Sequence, residues 1–162
     1  MKTLYLLRHA KSSWENPSLS DFDRPLNERG LLAAPLTGFE MLKRKLVPQM
    51  ILSSPAVRAL ETAELVVKAG EFGSSIVVND RIYEASPRCL LEVISKIDDE
   101  QNPAMIVGHN PGMEGLIRIL TGAVEPMPTA ALAVLDLDIE RWQDAMDGCG
   151  KTREVLRPRD IE

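Results

Sequence analysis

The stretch Ala104-Met105-Ile106-Val107-Gly108-His109-Asn110-Pro111-Gly112 passes from an unbroken apolar run, through a histidine, into a turn. A short apolar run bounded by turn formers suits a strand covered on both faces, so residues 104–107 read as a buried strand. Beyond it, Met113, Leu116, Ile117 and Leu120 recur at helical spacing between Pro111 and Thr121. Gly122 then suits the left-handed position that closes a helix. The stretch is a strand-to-helix unit with a histidine at the junction.

Working outward, the same arrangement opens the chain. Lys2-Thr3-Leu4-Tyr5-Leu6-Leu7-Arg8-His9 ends an apolar run on the other of its two histidines. Further strands are expected at 49–53, 75–78 and 131–137, beside 3–8 and 104–107. Helices are expected at 55–69, 87–98 and 111–121, carried by Val57, Leu60, Ala63 and Val67 in the first and by Leu90, Leu91, Ile94 and Ile97 in the second. Each of these three begins with a proline, which the first helical position tolerates. A helix starting near Asn27 contains Pro35, which should kink it or delay its start. Residues 139–162 suggest a helical turn at Trp142, a turn at Gly148-Cys149-Gly150 and an edge strand from Arg153 to Leu156. The tail Arg157-Pro158-Arg159-Asp160 reads as a solvated end. Alternation of this kind predicts one domain over 1–162, a three-layer α/β/α sandwich with a largely parallel sheet.

Composition narrows the function classes. With 162 residues, 44% of them hydrophobic and 27% charged, the chain matches a soluble globular protein able to bury a core without metal or disulfide staples. A net charge of −5 argues against a nucleic-acid partner, although a local cationic pocket remains open. Cys89 and Cys149 lack metal-type spacing and read as free thiols in a reducing cytoplasm. No apolar stretch spans a bilayer, and the N-terminal run breaks at Arg8-His9, so it reads as a strand and not a signal peptide.

Histidine is the side chain best suited to proton transfer, nucleophilic attack or metal binding near neutral pH. In an open α/β sheet, ligands bind beyond the carboxyl ends of the parallel strands. Three strand ends deliver Arg8-His9, Ser53-Ser54-Pro55 with Arg58 in the next helical turn, and Gly108-His109-Asn110-Pro111. If these strands are neighbours, two histidines and two arginines converge where helix N-termini point, a setting for a phosphoryl group. Singly, each element has an ordinary reading: Arg8 as a strand-ending charge, His109 as a turn histidine, Ser54-Pro55 as a helix cap. Their coincidence favours catalysis. Metal-ligand spacings, a Gly-x-Ser-x-Gly elbow and a Walker loop are absent, and nothing completes a triad with Ser12 or Ser13.

Four blocks carry a resemblance: Leu7-Arg8-His9-Ala10, Arg24-Pro25-Leu26, Ser53-Ser54-Pro55-Ala56-Val57-Arg58-Ala59-Leu60-Glu61-Thr62 and Val107-Gly108-His109-Asn110-Pro111. In this order they resemble the histidine phosphatase superfamily, which includes the phosphoglycerate mutases, and most of all its SixA-type phosphohistidine phosphatase branch. The resemblance spans about residues 3–137 and implies a phosphoglycerate mutase-like fold. Two departures are Ala10, where the family often has glycine, and Glu15, where mutase-like members place a phosphate-binding asparagine. Asn16 follows one position later.

The resemblance implies that His9 is the nucleophile and passes through a transient phosphohistidine, with Arg8, Arg58 and His109 clamping the phosphoryl oxygens and no metal or other cofactor needed. Asn110 and Arg24 are further phosphate-binding candidates. Arg24 equally suits a loop-stabilising ion pair with Asp21 or Asp23. Glu84, after the third strand, is the best-placed general acid by chain order and equally suits a solvated loop. The leading expectation is a cytoplasmic hydrolase that removes phosphate from phosphohistidine on a partner protein, with no nucleic-acid or membrane partner. Alternatives are a small-molecule or sugar phosphomonoesterase on the same core, and a non-catalytic phosphate-binding adaptor.

Overall fold

A computed structural model of the chain describes residues 1–161. Six strands, β1 (Lys2–Arg8), β2 (Met50–Ser53), β3 (Ile76–Val78), β4 (Ala104–Gly108), β5 (Leu132–Leu137) and β6 (Gly150–Leu156), form one sheet in the order β3-β2-β4-β1-β5-β6. The first four of that order run parallel; β5 and β6 are antiparallel additions on one side. Helices α1 (Glu28–Lys43), α2 (Val57–Gly70), α3 (Pro87–Ser95), α4 (Gly112–Thr121) and α5 (Pro158–Ile161) complete the chain. The result is an α/β fold with the expected three layers.

Side chains on a strand alternate between faces, and both faces here are covered. Leu4, Leu6 and Ile106 point to one side and pack with Leu90, Ile94, Met113, Leu116 and Leu120 from α3 and α4. Tyr5, Leu7, Met105 and Val107 point to the other and meet Ala34, Met41, Ala59, Ala63 and Val66 from α1 and α2. Two apolar cores explain why residues 4–7 of β1 and the whole of β4 are apolar. Removing a large member such as Leu6 or Ile106, each wholly buried, costs about 2–5 kcal/mol on replacement by alanine.

Register decides where chemistry can occur. Arg8 lies opposite Gly108, and both Ser53 and Leu7 lie opposite Val107. The carboxyl ends of β1, β4 and β2 are therefore level, and His9, His109 and Ser54 leave the sheet side by side. The ladder continues one step further, with the His9 N–H donating to the Gly108 carbonyl at 3.1 Å. From the other side, Ala130 N–H donates to the His9 carbonyl at 3.0 Å.

Several local expectations are revised. Pro35 does not delay the start of α1, which runs from Glu28 through Pro35 to Lys43. Asn27 caps it by accepting from the Gly30 N–H, and Ala34, Thr37, Gly38 and Met41 are buried against the rest of the fold. Gly38 permits the α1–α2 approach, since a Cβ there would lie 2.6 Å from the Val66 carbonyl oxygen. The carbonyl that Pro35 leaves without its helical donor belongs to Leu31, an exposed residue. Tertiary packing outweighs the lost hydrogen bond. Of the three helix-initial prolines, only Pro87 opens its helix; Pro55 precedes the Ala56 cap of α2, and Pro111 itself caps α4. α3 ends at Ser95, three residues early. The tail is not simply solvated. Arg157 donates to the Pro126 carbonyl at 3.0 Å, and α5 follows in contact with α1.

Among the described residues, no helix is long and apolar enough to cross a membrane.

Candidate active site

His9 sits in a loop that is fixed on every side. Its Nδ1 lies 2.7 Å from the Ala10 carbonyl oxygen. A carbonyl only accepts, so Nδ1 carries the proton and Nε2 keeps its lone pair. Ala10 N–H donates to Thr62 Oγ1 at 2.9 Å, and Thr62 donates to the Arg58 carbonyl at 2.7 Å. One threonine in α2 thus ties the His9 loop to the backbone that carries Arg58.

The His9 and His109 rings are 5.1 Å apart between centroids. Both are largely buried and both are held neutral. Burial, aided by the charges of Arg58, Arg8 and Arg24, pushes His9 down to about 4. Burial, then His9 and Arg58, pushes His109 down to about 3. In both, desolvation is the largest cause.

Ser54 explains the orientation of His109. Its Oγ accepts from the Ala56 N–H at 3.2 Å and lies 2.7 Å from His109 Nε2. Donation of the hydroxyl proton to Nε2 leaves Nδ1 as the protonated nitrogen of His109. That Nδ1, together with Arg8 Nε and Arg58 Nε, is buried without a hydrogen-bond partner. Buried donors are costly to leave unpaired. Here all three belong to side chains lining one cavity of about 440 Å³, which also contains His9, Arg24 and Trp14. The donor set suits a phosphoryl group.

Two networks aim the arginines. Arg8 Nη1 donates to the Met127 carbonyl at 2.9 Å, and Glu114 in α4 holds that segment by accepting from the Met127 N–H at 2.9 Å. Arg58 donates through Nη1 to the Asp21 carbonyl at 2.7 Å and through Nη2 to the Asp21 carboxylate at 3.0 Å. The same carboxylate accepts from Arg24 Nη2 at 3.0 Å and from the Tyr83 hydroxyl at 2.7 Å. The Tyr83 hydrogen bond, then those of Arg24 and Arg58, hold the Asp21 carboxyl well below the usual carboxylate range. Burial and Asp21 raise Tyr83 to about 12.

Four of the sequence candidates, Arg8, His9, Arg58 and His109, are brought together in this cavity. Arg24 lines it as well; it makes the ion pair with Asp21, donates to Ser12 Oγ at 2.7 Å, and stacks 3.5 Å from the Trp14 ring centroid. Asn110 lines the cavity, but its amide N–H groups go to Glu114 and to the Met127 carbonyl, so it braces the Arg8 network instead of offering them to a ligand. Asn16 accepts from Ser18 in an exposed turn away from the cavity. Glu84 is exposed and lines an adjoining cavity of about 560 Å³, separated from His9 by Arg58, His109 and Asn110, which line both. Its backbone is left-handed, with φ of 53°. Asp21, Ser54, Thr62 and Glu114 went unread in the sequence. Asp21 stood only as a possible ion-pair partner for Arg24, and Ser54 only as a helix cap. Among the described residues, no group of three or more His, Cys, Asp or Glu is arranged to hold a metal ion.

The family model of the histidine phosphatase superfamily (branch 1) matches residues 4–89, more than half of the chain. The chain belongs to the histidine phosphatase superfamily. A Mycobacterium tuberculosis relative of uncharacterised function is 30% identical over 154 residues, 88% of this chain and 94% of the relative. Among solved structures, the candidate phosphohistidine phosphatase SixA of Agrobacterium tumefaciens is 34% identical with a TM-score of 0.84, covering 97% of this chain and 98% of its own. The protein histidine phosphatase SixA complexed with tungstate is 22% identical with a TM-score of 0.85 over 99% of both chains, a likeness of fold. Within the histidine phosphatase superfamily, the chain is of the SixA type, and its membership supports phosphatase chemistry.

Proposed function

We propose that this phosphatase removes the phosphoryl group from phosphohistidine on a partner protein, by way of a phosphohistidine at His9. Neutral His9 attacks phosphorus through Nε2 while the P–N bond to the substrate imidazole breaks. Arg8, Arg58 and His109 Nδ1–H stabilise the charge on the equatorial oxygens during in-line transfer. Water then attacks the phosphorus of the phosphoenzyme, the bond to His9 Nε2 breaks, and inorganic phosphate leaves.

The observation that carries the preference for a P–N bond is the state of Asp21, the carboxylate bonded to Arg58. Asp21 is bound to two guanidinium groups and a tyrosine hydroxyl and stays ionised, so it has no proton to give a leaving group. An alkoxide needs such a proton, whereas a phosphorylated imidazole can leave as neutral imidazole. A second reading, a phosphomonoesterase, draws on Glu84, whose cavity shares Arg58 and His109 with that of His9.

Incubating the pure protein, with no metal added, with phosphohistidine, aryl phosphates and alkyl phosphates separates the readings. The proposal expects kcat/KM to fall in that order. Equal or better turnover of alkyl phosphates favours the monoesterase, and no turnover of any of them favours a phosphate-binding adaptor.

A further inference from the structure

A third cavity, of about 400 Å³, lies beside that of His9, and Lys11 and Thr129 line both. Its walls come from α1, the segment before β5 and the start of α5. Leu32, Leu36, Pro128 and Pro158 supply an apolar floor, and Lys11 and Arg29 stand on the rim. Leu32 is 73% exposed, the most exposed of the large apolar side chains on α1. Gly30 keeps α1 tight against the His9 loop, because a Cβ there would collide with the Lys11 carbonyl oxygen. The groove is therefore held at a set position relative to His9.

The rim of this groove is cationic. The chain carries a net −5, and Arg44, Arg81, Arg88 and Arg153 each hold a carboxylate of the chain itself. Lys11 and Arg29 have no ion-pair or side-chain hydrogen-bond partner among the described residues. Two unneutralised cations above an apolar floor complement a segment bearing a carboxylate beside an apolar side chain.

We propose that the groove seats the polypeptide flanking the phosphorylated residue of a protein substrate, and that it selects a flank with an acidic residue next to an apolar one. The inference rests on the reading of the chain as a phosphatase of phosphorylated proteins. The acidic side chain meets Arg29 and Lys11, and the apolar one covers Leu32 and Leu36.

The test uses phosphohistidine peptides that differ only in flank, Glu-Leu against Lys-Ser on either side of the phosphorylated residue, with free phosphohistidine as reference. The intact protein is expected to favour the Glu-Leu flank in kcat/KM by about tenfold or more, the scale of a partly desolvated charge pair. Arg29→Glu abolishes or reverses that preference, and Leu32→Ser weakens it through KM. Both variants, lying outside the His9 cavity, keep free phosphohistidine turnover within about twofold. Equal use of both flanks, a preference that survives Arg29→Glu, or equal slowing of free phosphohistidine overturns the proposal. The same flanks on phosphoserine and phosphotyrosine peptides keep the groove readable if only P–O bonds are cleaved. In that case the phosphohistidine reading fails while flank selection is still measured. A dimer in sedimentation that Leu32→Ser dissolves would assign the groove to a second copy of this chain and also overturn the proposal.

Discussion

Asp21 holds Arg58 at two points, its backbone carbonyl 2.7 Å from Nη1 and its carboxylate 3.0 Å from Nη2. The guanidinium cannot swing away, its Nε is buried without a partner, and the side chain lines the His9 cavity. Asp21→Asn removes the charge that fixes Arg58 and Arg24 together. It is expected to lower kcat by about 10- to 100-fold, the cost of small misplacement in a reacting site. Binding of inorganic phosphate should not weaken, because a negative charge beside Arg58 and Arg24 has been removed. Steady-state kinetics with phosphate inhibition reads both, and an unchanged kcat would reduce Asp21 to a surface charge.

The pH dependence of activity and that of stability should separate. His9 and His109 are neutral in the folded protein down to about 4 and about 3. Profiles of kcat/KM report the free enzyme, so activity should stay level from pH 8 to pH 5 and fall as His9 takes up a proton near 4. Stability behaves otherwise. Between the unfolded value of 6.5 and the lowered folded values, the unfolded chain binds more protons, so stability falls as pH falls through that window. For His9 the loss approaches about 3 kcal/mol at the acid end. Denaturant midpoints from pH 7 to pH 4 check this, and His9→Asn should flatten part of the slope.

Ser54→Ala tests the orientation of His109. Without the hydroxyl, Nε2 loses its partner and Nδ1 is no longer fixed as the donor. A decrease in kcat of roughly tenfold, the scale of one buried hydrogen bond, is expected, with a smaller change in KM. Ser54→Thr, which keeps the hydroxyl, should recover part of it. Equal activity of Ser54→Ala and the unaltered protein would return Ser54 to a simple turn role.

Glu84→Gln should leave the turnover of phosphohistidine and that of alkyl phosphate each unchanged from the unaltered protein, because Glu84 belongs to the adjoining cavity. General acid catalysis contributes about 10²–10⁴-fold, so a selective loss on alkyl phosphates would be plain. Such a loss would make Glu84 the acid and favour the monoesterase reading.

These contrasts mark what the residues alone make legible. The apolar runs ending at Arg8-His9 and Val107-Gly108-His109 are local patterns, and level strand ends follow once β1 and β4 are neighbours. Asp21 is different. It lies 37 residues from Arg58 and 62 from Tyr83 along the chain, so only the folded state unites them. Glu114 and Met127 aim Arg8 through a segment with no local signature, and Asn110, read as a phosphate ligand, is occupied by that network. Pro35 misleads for a related reason: a local helix breaker is outweighed by the packing of Ala34, Gly38 and Met41. Chain order brings Glu84 near Arg58 and His109, but into the adjoining cavity, which His9 does not line.

During turnover His9 Nε2 is expected to carry the phosphoryl group. Rapid quench of the protein with a radiolabelled phosphohistidine peptide, followed by mass spectrometric mapping and phosphorus NMR, tests it most directly. Acid-labile, alkali-stable label is expected on Nε2 of His9 and is absent from His9→Ala, whose turnover falls by on the order of 10⁴-fold or more while its circular dichroism is unchanged. Label on Nδ1 or on a serine, or substantial turnover by folded His9→Ala, would contradict it.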